Sequence, residues 1–135
     1  MNRWLIKSDP ETYSAKDLER EGRTFWDGVA NPLALKHLGS MAAGDEVLVY
    51  HTGDERAIVA TAKIASKPIA DPKDKSGKIS LVDVQFTGWL AKPVTLDQIK
   101  ADAAMANWEL VKISRLSVMP VPKGIWDKIQ KLAAS

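Results

Sequence analysis

Residues 114–121 read SRLSVMPV, and this stretch restricts the fold more than any other part of the chain. Polar and apolar side chains alternate through Ser114, Arg115, Leu116 and Ser117, and a period of two is typical of extended structure. In a strand, Ser114 and Leu116 would face one side of a sheet, and Arg115 and Ser117 the other. The pattern therefore predicts a strand of which one set of side chains can face a ligand.

The guanidinium group of Arg115 has two possible kinds of partner, and the sequence favours neither. It could form a forked pair with a phosphate, which would place it in a binding site. It could equally form that pair with a carboxylate such as Asp9 or Asp27, and its role would then be structural.

The amino-terminal segment 4–10 reads WLIKSDP and predicts a strand over residues 3–8 that ends at a turn. Lys7 and Ser8 stand at the end of this strand, where a cation and a hydroxyl can contact a phosphate and a base edge. The alternative is a solvated lysine beside a serine that satisfies the backbone of the turn.

Segment 25–29, FWDGV, lies in a break between two predicted helices, and its tryptophan is the strongest candidate for a ligand contact. An indole face can stack on a flat base with about 1–3 kcal/mol per base. The alternative is that Trp26 simply fills the core. The other tryptophans are not assigned to the site. Trp4, Trp89 and Trp126 fall on strand or helix faces with apolar partners, and Trp108 lies in a stretch too short to show which face it occupies.

Tyr50 and His51 close an apolar run that begins at Val47. An imidazole at a strand end could hydrogen-bond a ligand or titrate near neutral pH. The alternative is a structural histidine whose ring nitrogens are satisfied within the protein.

Helix signals recur along the chain. Ser14 with Asp17, and Thr95 with Gln98, have the spacing of capping boxes. Asn31 before Pro32 predicts a helix that continues past Ala42 to Gly44-Asp45, and the apolar spacing over 125–133 predicts a last helix.

Strand signals occupy the middle of the chain. Residues 47–50 form an apolar run, residues 82–86 alternate between apolar and polar side chains, and small or apolar side chains recur at every second position at Ile58, Ala60, Ala62 and Ile64. Segment 67–78 predicts an exposed loop. Strands without a regular strand-helix alternation favour an α+β fold with a mixed, curved or barrel-like sheet flanked by short helices.

Composition excludes some classes of site. The chain has 135 residues, and 19 basic against 17 acidic residues give a net charge of +2, too small to indicate nucleic-acid binding by itself. With no cysteine and two histidines, thiolate or histidine-rich metal sites are excluded, so neither a metal nor a cofactor is expected. One domain over residues 1–135 is expected, soluble, cytoplasmic and without a membrane partner.

Taken together, segments 4–10, 25–29 and 114–121, with Gly44-Asp45, resemble the EVE domain, a member of the PUA-like superfamily with the YTH and ASCH domains. The resemblance implies a mixed-strand barrel with helices and a module that binds a modified nucleobase in an aromatic pocket, most often methylated or hydroxymethylated cytosine in DNA. It departs at Ala30, where the family commonly has an arginine before Asn31. The residues that the resemblance and the local patterns assign to the ligand are Lys7, Ser8, Trp26, Asp27, Asn31, Tyr50, His51, Ser114, Arg115, Leu116 and Ser117.

Several alternatives stay open at this stage. RNA is a possible partner, because PUA-like relatives bind RNA, and so is a free nucleobase or nucleoside. A nuclease could act as a partner in trans, since EVE-type domains are often linked to such modules. An ASCH-like nuclease or amidohydrolase using Lys7, His51 or an aspartate is the enzymatic alternative. The sequence does not predict the oligomeric state.

Overall fold

The computed structural model describes residues 2–27, 29, 31–77 and 80–134. Within these residues seven strands form one mixed sheet: β1 (Arg3–Ser8), β2 (Arg23–Trp26), β3 (Glu46–His51), β4 (Ala57–Ile64), β5 (Ile69–Ala70), β6 (Ser80–Thr95) and β7 (Val118–Pro120). The order is β2-β6-β4-β3-β1-β7, and β5 also pairs with β6. β1 runs parallel to β3, whereas the other described pairs are antiparallel.

Five short helices of the described chain flank this sheet: α1 (Ala15–Glu21), α2 (Pro32–Gly39), α3 (Leu96–Ala101), α4 (Glu109–Lys112) and α5 (Lys123–Ala134). The capping signals predict the helix starts correctly. Ser14 and Asp17 form a reciprocal capping box at α1, and Thr95 and Gln98 form another at α3. The α+β class and the mixed, curled sheet are confirmed.

The end predicted for α2 is wrong. The helix ends at Gly39 with Ser40 as its C-cap, so Ala42 lies beyond it. The amide of Ala42 instead donates to the carboxylate of Asp45 over 3.0 Å. This bond gives the Ala42 amide a partner in the turn before β3 instead of a carbonyl of the helix.

Strand β6 is much longer than the alternation over 82–86 predicted, and it supplies the curvature of the sheet. Its register against β4 slips between Ile58, which pairs with Val94, and Ala60, which pairs with Trp89. Such bulges bend a strand and increase its twist. Residues 67–77 of the predicted loop are mostly exposed as expected, but they also contain the two residues of β5, and Lys78 lies outside the described residues.

The stretch 114–121 forms a strand only in its second half. Ser114 and Arg115 lie in a turn, because the amide of Leu116 donates to the carbonyl of Ile113 over 3.0 Å. The predicted extended alternation over Ser114–Ser117 is therefore wrong. Pairing with β1 begins at Val118, which is opposite Ile6.

The core lies between the sheet and the helices. Trp4, Trp108 and Trp126 are buried in it, whereas Trp89 is 42% exposed and donates from Nε1 to Glu19. None of the described helices is long and apolar enough to cross a membrane.

Candidate functional site

An open cavity of about 510 Å³ lies where the ends of β1 and β2 meet the turn that follows β1. Its volume falls within the range of small-ligand pockets, about 300–1,000 Å³. The cavity combines aromatic, cationic and carboxylate groups, and its lining consists of Lys7, Ser8, Asp9, Thr12, Tyr13, Thr24, Phe25, Trp26 and Asp27.

Trp26 forms an aromatic wall of this cavity. It is the last residue of β2, opposite Val82, and therefore lies in a strand rather than in the predicted loop. Its side chain is only 8% exposed, so it packs in the core and also lines the cavity. The edge of Tyr13 meets it at 82° with ring centroids 6.0 Å apart, which fixes the orientation of the indole.

Lys7 is a half-buried cation in the lining of the cavity. Its Nζ donates to the carbonyl of Ser114 over 2.9 Å and lies 5.7 Å from the centroid of the Tyr50 ring, within cation–π range. No carboxylate of the described residues forms an ion pair with it. Burial lowers the pKa of this ammonium below its ordinary value. A poorly solvated cation without an ion-pair partner is well suited to interact with a ligand.

The turn after β1 holds the side of the cavity in place. The hydroxyl of Ser8 donates to the carbonyl of Tyr13, and one carboxylate oxygen of Asp9 accepts the amide of Glu11 over 3.0 Å. The backbone carbonyl of Asp9 accepts the amide of Tyr13 over 2.8 Å. These bonds leave Ser8 Oγ and the second oxygen of Asp9 as acceptors toward the cavity.

His51 lies outside the cavity lining and is hydrogen-bonded to the start of α1. The imidazole is 6% exposed, its Nε2 accepts the amide of Ala15 over 3.0 Å, and its Nδ1 lies 2.7 Å from a carboxylate oxygen of Glu55. Because Nε2 accepts from a backbone amide, the ring proton is assigned to Nδ1. His51 therefore fixes the start of α1, one residue after its capping serine.

The remaining predicted residues lie outside the lining. Asn31 caps α2 by accepting the amides of Leu33 and Ala34, and Leu116 is fully buried. The backbone carbonyl of Ser117 accepts the amide of Lys7 over 2.9 Å.

The turn of Ser114 and Arg115 contacts Lys7. The carbonyl of Ser114 accepts from Lys7 Nζ, and the adjacent Arg115 is exposed and forms no ion pair with a described carboxylate. The structure thus joins this turn to the cavity through Lys7.

Sequence patterns missed part of the lining, including Tyr13 and Phe25. Phe25 is 49% exposed and also lines the cavity. It precedes Trp26 on β2, and neighbouring side chains of a strand point to opposite faces of the sheet. The adjacent aromatic residues Phe25 and Trp26 are the sequence signal that could have indicated this part of the lining. The cavity is therefore lined by three aromatic side chains, and Tyr50, which the sequence also assigned to the ligand, lies outside this lining.

Replacing Lys7 by methionine tests whether this cation serves binding rather than folding. Because burial lowers the pKa of Lys7, the folded protein disfavours its charged form, and wild-type stability should rise as the pH rises through that lowered pKa toward 10.5. We expect Lys7→Met to lack this rise and to melt no lower than wild type near neutral pH. Thermal unfolding across pH measures both effects, with Lys16→Met as a control at an exposed site. A clearly lower melting temperature for Lys7→Met would show that the lysine is structural.

Tyr13 should make the protein sensitive to alkali. Burial, and then the hydrogen bond to Glu21, raise the pKa of Tyr13 from 10.0 to about 12. The stability from the neutral phenol is therefore complete below pH 10 and lost as the pH rises through 12. We expect Tyr13→Phe to lose less stability than wild type over this interval in chemical denaturation. Parallel stability curves for the two proteins would contradict the assignment.

Comparison with known proteins identifies the family. Residues 2–132 match the EVE domain. Thymocyte nuclear protein 1 of Rattus norvegicus is 30% identical, in an alignment that covers 97% of this chain and 73% of the relative.

Solved structures give the same assignment. A Rhodopseudomonas palustris protein studied by NMR superposes with a TM-score of 0.94 at 36% identity, covering 99% of this chain and 94% of its own. Human THYN1 in complex with DNA containing 5-methylcytosine has a TM-score of 0.92 at 27% identity, covering 100% of this chain and 99% of its own. An ASCH protein of Zymomonas mobilis, at 13% identity and a TM-score of 0.61, shares the fold alone. The family match over nearly the whole chain, together with the agreement in fold, shows that this chain belongs to the EVE domain family.

Proposed function

We propose that this chain is a non-catalytic module that binds a modified base in DNA, most specifically methylated or hydroxymethylated cytosine, in the cavity between β1 and β2. The observation that carries the proposal is one cavity lined both by the indole of Trp26, which the ring of Tyr13 contacts edge-on, and by the half-buried ammonium of Lys7. The DNA complex of the similar human THYN1 supports the choice of ligand.

The aromatic and cationic lining of the cavity suits a base that has been flipped out of the nucleic-acid stack. Extrusion from a duplex costs a few kcal/mol and less from a single strand, so the cavity must recover that cost through contacts. Stacking on an aromatic side chain contributes about 1–3 kcal/mol per base. Phe25, half exposed at the cavity, adds an apolar surface on which the flipped base or its neighbour can rest.

The hydrogen bonds within the site favour binding over catalysis. The hydroxyl of Ser8 is committed to a carbonyl rather than to a general base. Nε2 of His51 is committed to the amide of Ala15, and its Nδ1 faces Glu55, so the imidazole is engaged on both sides. A hydrolytic mechanism would require these groups to exchange their partners.

Contacts to the DNA backbone should be few. The net charge is +2, and Ala30 stands where the family commonly has an arginine. Arg115, exposed beside the carbonyl that holds Lys7, is the cation best placed to contact a phosphate. We therefore expect the logarithm of the affinity to fall only shallowly with the logarithm of the salt concentration, by about 0.7–0.9 per phosphate contacted.

A binding panel tests the proposal. Fluorescence anisotropy at low salt would compare labelled oligonucleotides, single-stranded and duplex, DNA and RNA, carrying cytosine, 5-methylcytosine or 5-hydroxymethylcytosine at one position. We expect tighter binding of a modified cytosine than of plain cytosine in DNA. Equal binding of all three bases would contradict the proposal, and a requirement for the 2′-hydroxyl would replace DNA by RNA as the partner.

A further inference from the structure

The polar groups that line the cavity are rich in hydrogen-bond acceptors. Asp27 is exposed at the cavity, and its carboxylate forms no hydrogen bond or ion pair with another described residue. Asp9 keeps one carboxylate oxygen open, since the other accepts the amide of Glu11. The hydroxyl of Ser8 already donates its hydrogen bond to the backbone carbonyl of Tyr13, so toward a ligand its oxygen can only accept.

Charged donors in the cavity are fewer, since Thr12 and Thr24 add only neutral hydroxyls that can either donate or accept. Lys7 is the cation of the lining and keeps two protons after donating one to Ser114. A ligand edge that complements this arrangement presents an amino group toward the carboxylates and an acceptor toward the ammonium. Two carboxylates beside the cavity also disfavour a phosphate there, because like charges repel.

We propose that the cavity selects bases by their exocyclic amino group, with the Asp27 carboxylate accepting from that group and the Lys7 ammonium donating to a ring acceptor on the same base. This assignment deepens the proposed function and rests on it. Carboxylates accept from the N4 amino group of cytosine, whereas thymine presents the O4 carbonyl at the same position. Asp27 would then be a specificity-determining residue.

The sharpest consequence concerns thymine. 5-Methylcytosine and thymine carry the same methyl group and differ at position 4, where an amino donor is replaced by a carbonyl acceptor. In this cavity the carbonyl of thymine would face the carboxylate of Asp27, and each oxygen would lack a proton to share. The cavity should therefore reject thymine although its shape is nearly that of 5-methylcytosine.

The experiment compares three oligonucleotides that differ at one base: cytosine, 5-methylcytosine and thymine. We expect 5-methylcytosine to bind roughly tenfold to a hundredfold more tightly than thymine, the range for one well-placed base contact. Thymine bound as tightly as 5-methylcytosine, with cytosine bound weakly, would overturn this inference and leave the proposed function intact. Failure of 5-methylcytosine to exceed cytosine would overturn the proposed function, and the inference with it.

Asp27→Asn assigns the effect to one residue. An amide can accept from an amino group and donate to a carbonyl, so we expect this variant to lose most of the discrimination between 5-methylcytosine and thymine. Asp27 is exposed, so the variant should fold normally, and Asp54→Asn, outside the cavity, is the matched control. Discrimination that survives in Asp27→Asn, or that is lost in Asp9→Asn instead, would overturn the assignment to Asp27.

Discussion

Replacing Trp26 by leucine should reduce the affinity for an oligonucleotide carrying a modified cytosine by about 1–3 kcal/mol, the contribution of one stacked base. That range is roughly tenfold to a hundredfold in the dissociation constant. Leucine keeps much of the buried apolar surface and removes the aromatic face that the base would cover. Trp26→Phe should retain part of the affinity, because it keeps an aromatic ring.

The control for Trp26 is provided by the chain itself. Trp126 on α5 is also 8% exposed and lies outside the cavity lining. Trp126→Leu should therefore lower the free energy of unfolding about as much as Trp26→Leu does. It should leave the preference for the modified base unchanged. If both leucine variants lost binding equally while remaining folded, Trp26 would have no special contact with the base.

Asp45→Ala should cause a large loss of folding stability, about 3 kcal/mol or more. The carboxylate is 4% exposed and accepts from Trp4 Nε1 over 2.9 Å, from the amide of Ala42 over 3.0 Å and from the amide of Asn2 over 3.3 Å. Alanine would leave the buried Nε1 of Trp4 without a partner, which costs about 1–3 kcal/mol. It would also remove the part-buried bonds from the amides of Ala42 and Asn2 to a charged acceptor, about 1.5–3 kcal/mol each. Urea denaturation monitored by tryptophan fluorescence measures the change.

Two further variants test whether the loss of stability in Asp45→Ala comes from the lost hydrogen-bond acceptor. Asp45→Asn should be less harmful than alanine, because its carbonyl oxygen can still accept, although its amide nitrogen then faces a donor. Asp54→Ala, at an exposed position, should change the free energy of unfolding by less than about 0.5 kcal/mol. A loss below about 1 kcal/mol for Asp45→Ala would mean that water replaces the carboxylate without penalty.

Local signals predicted the fold well where the governing contacts are local. The caps at Ser14, Asn31 and Thr95 act within three residues, so their helix starts follow from sequence. The turn at Ser114 and Arg115 was not predictable in this way. The residues after it pair with β1, from the other end of the chain, and this pairing determines where β7 begins.

The candidate site was predicted less completely for the same reason. Lys7, Ser8, Trp26 and Asp27 were assigned to the ligand and do line the cavity. The backbone partner of His51 is Ala15 and that of Lys7 is Ser114, and they lie 36 and 107 residues away in sequence, so a pattern around either residue could not indicate them. His51 was also assigned to the ligand, and in the structure it lies outside the lining and accepts the amide of Ala15.

The most direct test of the central claim is to locate the modified base in the complex. The five tryptophans of the chain give separate indole signals in NMR spectra, and the 5-methyl group of the bound base can be observed beside them. We predict nuclear Overhauser contacts from that methyl group to the indole of Trp26 and to the ring of Phe25 or Tyr13. Contacts to Trp126, which lines a separate groove of about 540 Å³ beside α5, would contradict the account.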